Sequence, residues 1–158
     1  MAEEATQSDK EKFIGQWQTG LHIRHIAHNR CFSYYKKLDR LVGLGATILS
    51  ALVSTAVIVS FTKSGDITLQ AIAGGCSILA TLFASANTFL KYGELATKHE
   101  ATAAAYGQIR RELELSECWG GDITKDFLAQ ILNKWAELEK TSPDVPQSIY
   151  AAARDSVK

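Results

Sequence analysis

Apolar and polar positions alternate in two different ways along this chain. Two charge-free apolar stretches, 41–62 and 67–90, flank the joint Lys63-Ser64-Gly65-Asp66. Arg40 and Lys63 bound the first, and Asp66 and Lys91 bound the second. A helix rises about 1.5 Å per residue, so each stretch is long enough to cross a hydrocarbon core of about 30 Å. The joint has turn chemistry: a glycine for positive φ and an aspartate able to cap the next helix. The pattern predicts a transmembrane helical hairpin.

Outside these stretches the apolar residues follow a seven-residue rhythm. Ser8-Asp9-Lys10-Glu11 has capping-box spacing and predicts a helix start near Ser8. A seam then runs through Trp17, Leu21, Arg24, His28, Cys31, Tyr35 and Leu38, and returns as Tyr92, Leu95, His99, Thr102, Tyr106, Ile109 and Leu113. Such spacing predicts two helices packed along a narrow line. Folding the chain about Gly65 pairs Arg24 with Tyr106, His28 with Thr102 and Cys31 with His99. The expected architecture is one antiparallel helical hairpin over 8–116, with spans at one end and a cytoplasmic coiled coil at the other. Its polar layer is Arg24, His28, His99 and Tyr106, in which Tyr106, Glu100 or Glu112 should partner Arg24. The returning helix should end near Ser116, before Gly120-Gly121.

Continued into the spans, the same register sets Val42, Gly45, Leu49, Leu52 and Ala56 against Thr88, Ser85, Thr81, Ile78 and Gly74. The stripe Gln70, Gly74, Ser77, Thr81, Ser85, Thr88 then has two readings, close packing within the hairpin or a lumen lining. The first span carries another small face, Gly43, Thr47, Ser50 and Ser54. Contact between subunits, a conduit wall and plain lipid exposure all remain open for it.

A C-terminal pair of helices is expected over 122–154. The first begins at Asp122-Ile123-Thr124-Lys125-Asp126 and aligns Phe127, Leu128, Ile131, Leu132, Trp135 and Leu138 on one face. It ends by Ser142-Pro143, and Pro146 suits the first turn of a short last helix. Its apolar face must dock on the coiled coil, on a partner protein or on the membrane.

The whole therefore reads as an all-α membrane protein, although its mean hydropathy is only −0.05. Net charge is zero over 158 residues, which leaves no bulk field for nucleic acid. Arg24, Arg30, Lys36, Lys37 and Arg40 precede the first span, and Lys91, Lys98, Arg110 and Arg111 follow the second. This bias puts both termini in the cytoplasm of a multi-pass protein of the inner (plasma) membrane. Tyr34, Tyr35 and Tyr92 sit where interfacial aromatics belong, and Lys36, Lys37, Arg40 and Lys91 are topology anchors or an acidic-lipid site. No signal peptide is expected, because the first apolar stretch begins far from the N-terminus behind a charged segment. Cys31, Cys76 and Cys118 form no CxxC pair, and Cys76 falls inside a span. His22, His25, His28 and Cys31 recur every three residues and spread over half a helix, so no metal is expected. His99-Glu100 lacks the second histidine of a zinc-protease motif. With no phosphate loop and no nucleophile beside a base, neither an enzyme nor a cofactor is expected.

One helix leads into two close spans, followed by His99-Glu100-Ala101 and Tyr106-Gly107-Gln108-Ile109-Arg110-Arg111-Glu112. Over 13–115 this resembles the SLATT domain, the SMODS- and SLOG-associating two-transmembrane effector domain of prokaryotic conflict systems. The resemblance implies a membrane effector of antiphage defence (abortive infection) that oligomerises into a pore when a nucleotide-based sensor fires. It implies a lipid bilayer, further copies of the chain and a separate sensor or nucleotide-synthesising protein as partners, and no catalytic residues. The alternative is a non-conducting membrane anchor or adaptor that recruits a cytoplasmic protein.

Overall fold

The structure, a computed structural model, describes residues 2–62, 67–118 and 123–157. Every regular element among them is a helix: α1 (Ala2–Thr62), α2 (Ile67–Leu90), α3 (Tyr92–Cys118), α4 (Lys125–Thr141) and α5 (Gln147–Asp155). The only two prolines are Pro143 and Pro146, so no ring interrupts α1 to α4. α1 begins at Ala2, upstream of the start expected at Ser8. α3 runs on to Cys118, past the end expected at Ser116. The joint Lys63-Ser64-Gly65-Asp66, the Gly120-Gly121 break and the Asp122 start lie outside the described residues.

One departure from the sequence reading matters most. α2 and α3 are not continuous, because Lys91 between them has φ of 46°. A side chain in the left-handed region is disfavoured by about 1 kcal/mol or more, and the helical phase is broken there.

The chain divides into two compact units, 1–33 with 95–158 and 34–94. In the first, Ile14, Leu21, Tyr106, Ile109, Leu113 and Ile131 form the core. α4 supplies Phe127, Leu128, Trp135 and Leu138 to its edge, beside Trp17 and Ile123. The apolar face of α4 thus docks on α1 and α3, except that Leu132 stays 51% exposed. Thr124 caps α4: its Oγ1 accepts a hydrogen bond from the Phe127 backbone N–H at 3.2 Å. At the other end the Ser142 backbone N–H bonds the Leu138 carbonyl at 2.9 Å before Pro143 stops the helix. Each fully buried Leu or Ile contributes about 2 kcal/mol through apolar burial.

The second unit holds the apolar parts of α1 and α2, both long and apolar enough to cross a membrane. Large apolar side chains cover its outside, among them Leu41, Ile48, Ile78 and Leu82, each more than half exposed. Such a surface suits lipid and not water. The half-buried positions include Leu38, Val42, Gly43, Gly45, Ala46, Leu49, Val53 and Ala56 on α1, and Ala73, Cys76, Ala80, Phe83 and Ala86 on α2. Gly45 permits a close approach of the two helices, since a Cβ there would lie 3.1 Å from the Phe83 ring.

Candidate functional site

The stripe Gln70, Gly74, Ser77, Thr81, Ser85, Thr88 is exposed along its whole length. Packing within the hairpin is therefore not its role. The α1 positions expected in the seam are half-buried apart from Leu52, which Val53 replaces. Their α2 partners are different residues from those expected. A register continued from α3 into α2 does not hold, because the turn at Lys91 breaks the phase between those helices.

On α1, Thr47, Ser50 and Ser54 are exposed and Gly43 is half-buried. A helix turns about 100° per residue, which locates both small faces relative to the seam. From its seam, the small face lies roughly 110° forward around α1 and roughly 140° forward around α2. Seen from one end, residue numbers wind clockwise on one helix and anticlockwise on the antiparallel other. Two forward rotations of opposite hand, starting from facing seams, arrive on the same side of the pair. The hairpin is consequently two-sided. One side carries Gly43, Thr47, Ser50 and Ser54 beside Gly74, Ser77, Thr81, Ser85 and Thr88. The other carries Leu41, Leu44, Ile48 and Leu52 beside Ile72, Leu79 and Leu82.

The hydroxyls of the small side bond to their own helices. Thr47 donates to the Gly43 carbonyl, Ser54 to that of Ser50 and Thr81 to that of Ser77, each at 2.9 Å. Thr88 donates to the Ala84 carbonyl at 3.1 Å. Each oxygen still has a lone pair for water or a neighbouring helix.

A second cluster lies within the other unit. His28 and His99 are buried, and their Nδ1 atoms lie 2.9 Å apart. One of the two must carry the proton of this N–H···N bond and the other must accept it. The His28 ring stacks on Tyr106, with centroids 5.5 Å apart and planes at 27°. His28 therefore meets His99, where Thr102 had been expected, and the Thr102 hydroxyl donates instead to the Lys98 carbonyl. Arg24 pairs with neither Tyr106, Glu100 nor Glu112. Its ion-pair partner is Glu139 of α4, and its guanidinium carbon lies 5.1 Å from the Trp135 ring centroid. Glu112 pairs with Lys134 at 2.5 Å. α4 thus supplies partners that a two-helix register does not contain. Arg24, His28, Tyr106 and Glu139 border one open cavity of about 180 Å³.

The remaining candidate ligands diverge. His22 takes a hydrogen bond from Arg110, and His25 Nδ1 lies 2.8 Å from the Ala103 carbonyl. Burial pushes the Cys31 thiol up to about 11, which leaves it protonated and unreactive.

Burial, with His99 and Arg24 nearby, lowers His28 from 6.5 to about 4, and burial lowers His99 as well. The unfolded state binds more protons across that interval, so stability should fall as pH drops from about 6.5 to about 4. The loss from His28 is on the order of 3 kcal/mol. Urea unfolding of the purified protein, followed by tryptophan emission between pH 7.5 and 4.5, measures it. His28→Gln should flatten the profile, and an unchanged slope would refute the assignment.

No curated protein and no solved structure matches this chain. Residues 22–155 match the SMODS and SLOG-associating 2TM effector domain family 4, so most of the chain, including both apolar helices and the docked C-terminal helices, is accounted for, and the chain belongs to that family.

Proposed function

We propose that this chain is the membrane effector of a nucleotide-linked prokaryotic defence system. Several copies assemble through the small side of the hairpin and open a water path that kills or arrests the infected cell. The two-sided hairpin carries this reading. A single hairpin has two spans, too few to enclose water, so conduction needs several copies. Small residues let membrane helices approach closely, and bulky aliphatic ones suit lipid. A side that is small on both helices, opposite one that is bulky on both, is what a subunit in a ring requires. Thr47, Ser50, Thr81 and Ser85 then lie between copies or along the lumen. The family description, an effector associated with SMODS and SLOG proteins, supports a separate sensor or nucleotide-synthesising partner.

The excess of Lys and Arg on both flanks supports cytoplasmic termini in the inner membrane. The chain acts without catalysis and without a cofactor. The adaptor reading draws on a different observation, the hydroxyls that bond their own carbonyls and so need no water.

The test is dye entry and growth arrest in cells that express the protein with its activating system. Wild-type protein should admit a small impermeant dye within minutes of activation. Arrest with intact membranes would end the pore reading in favour of the adaptor.

A further inference from the structure

We propose that Lys91 is a conformational switch that selects which face of α2 packs on α1. α1 passes this level as unbroken helix, whereas its partner is interrupted at one residue. Lys91 has φ of 46°, yet its backbone N–H still donates to the Asn87 carbonyl at 3.3 Å. The hydrogen-bond ladder of α2 thus runs through Lys91, and α3 begins at the next residue, Tyr92. A lysine carries a Cβ and disfavours positive φ. The compensation comes from packing. Phe83 lies over Gly45, Tyr92 stacks on Tyr35 with centroids 6.1 Å apart, and the Lys91 ammonium reaches Glu94 at 3.1 Å.

A second packing is written into the same helix. With Lys91 in the right-handed region, α2 and α3 become one helix and α2 takes its phase from Tyr92. That rotates α2 by roughly half a turn against α1. Gly74, Thr81, Ser85 and Thr88 then face α1, and Phe83 leaves the seam. Either face can seat on α1: Ala73, Cys76, Ala80 and Ala86 accompany Phe83 on one, and glycine and hydroxyl residues form the other. The straight form avoids the positive φ and forfeits the contact of Phe83 with Gly45. Two packed arrangements balanced in this way make a bistable element. For assembly through the small side, on which the pore reading above rests, the straight form is the silent one, because it hides the α2 half of that side.

Disulfide formation in membranes containing the full-length protein, with Cys31, Cys76 and Cys118 replaced by alanine, distinguishes the two forms. Leu49 lies four residues beyond Gly45 and Ala80 three before Phe83, so Leu49→Cys with Ala80→Cys reports the bent packing. Leu49→Cys with Thr81→Cys reports the straight one. Glycine accepts positive φ freely and a β-branched residue resists it. Lys91→Gly should therefore raise the ratio of the first cross-link to the second about fivefold over wild type, and Lys91→Ile should lower it by a similar factor. Lys91→Gln, which loses the ion pair and keeps the backbone preference, should stay within about twofold of wild type. A ratio that does not move, or moves the same way in the glycine and isoleucine variants, overturns the switch. So does loss of both cross-links in Lys91→Ile, because the straight form keeps α2 on α1. With the activating system present, dye entry should rise in Lys91→Gly and fall in Lys91→Ile. Cross-links that shift while dye entry stays constant uphold the switch and count against assembly through the small side.

Discussion

Leucine at Gly74 is expected to abolish growth arrest, whereas leucine at the adjacent Gly75 should leave it intact. Neither position has anything within 4 Å of an added Cβ, so neither change disturbs the isolated hairpin. Leucine also favours the bilayer, so insertion should survive in both. The two positions differ in the side they occupy. Gly74 lies in line with Ser77 and Thr81 on the small side, and Gly75 turns toward Leu79 and Leu82. Bulk at Gly74 blocks close approach between copies, where an interface of small residues loses its packing outright. Ser50→Leu should behave like Gly74→Leu from the other helix. Cysteine cross-linking in membranes, scored with dye entry, is the measurement. Equal activity of the Gly74 and Gly75 variants would remove the small side from the assembly, even if the membrane is still breached.

Ile131→Ala should cost the first unit about 3 kcal/mol, the middle of the range for emptying a buried aliphatic site. Ile131 has no exposure and packs into the cluster of Leu21, Tyr106 and Leu113. It is the only residue of α4 that is completely buried among those described, so it carries much of the docking of that helix. The loss should show as a red shift in tryptophan emission, because Trp135 meets Trp17 edge-on at 6.0 Å beside it. Leu132→Ala, next in sequence but 51% exposed, should change stability by less than about 0.5 kcal/mol. Similar losses from both would mean that α4 does not dock through this face.

The two hydrophobic spans were legible because lipid demands a long uninterrupted apolar run, which few other environments select. The seams of the first unit were legible too: Leu21, His28, Cys31, His99, Tyr106 and Leu113 are all buried. What failed was the phase between elements. The heptad rhythm describes each helix separately, and only an unbroken helix transmits it. A lysine gives no sign of adopting positive φ, so the break at Lys91 was invisible and the α2 face came out rotated. Arg24 failed for another reason. Its partners Glu139 and Trp135 come from α4, and periodicity within α1 and α3 cannot reveal which third helix covers them.

The hydroxyls that bond their own helices bear on latency. An uncommitted hydroxyl in hydrocarbon is costly and drives helices together whenever they meet. Thr47, Ser54, Thr81 and Thr88 have already committed their protons. A lone hairpin can therefore remain dispersed in the bilayer at little energetic penalty. Association then depends on shape and on how many copies are present, so the threshold for assembly is set by abundance and by whatever gathers the subunits. A membrane can carry such subunits in advance, in a silent state, without the polar contacts that would make them assemble too early.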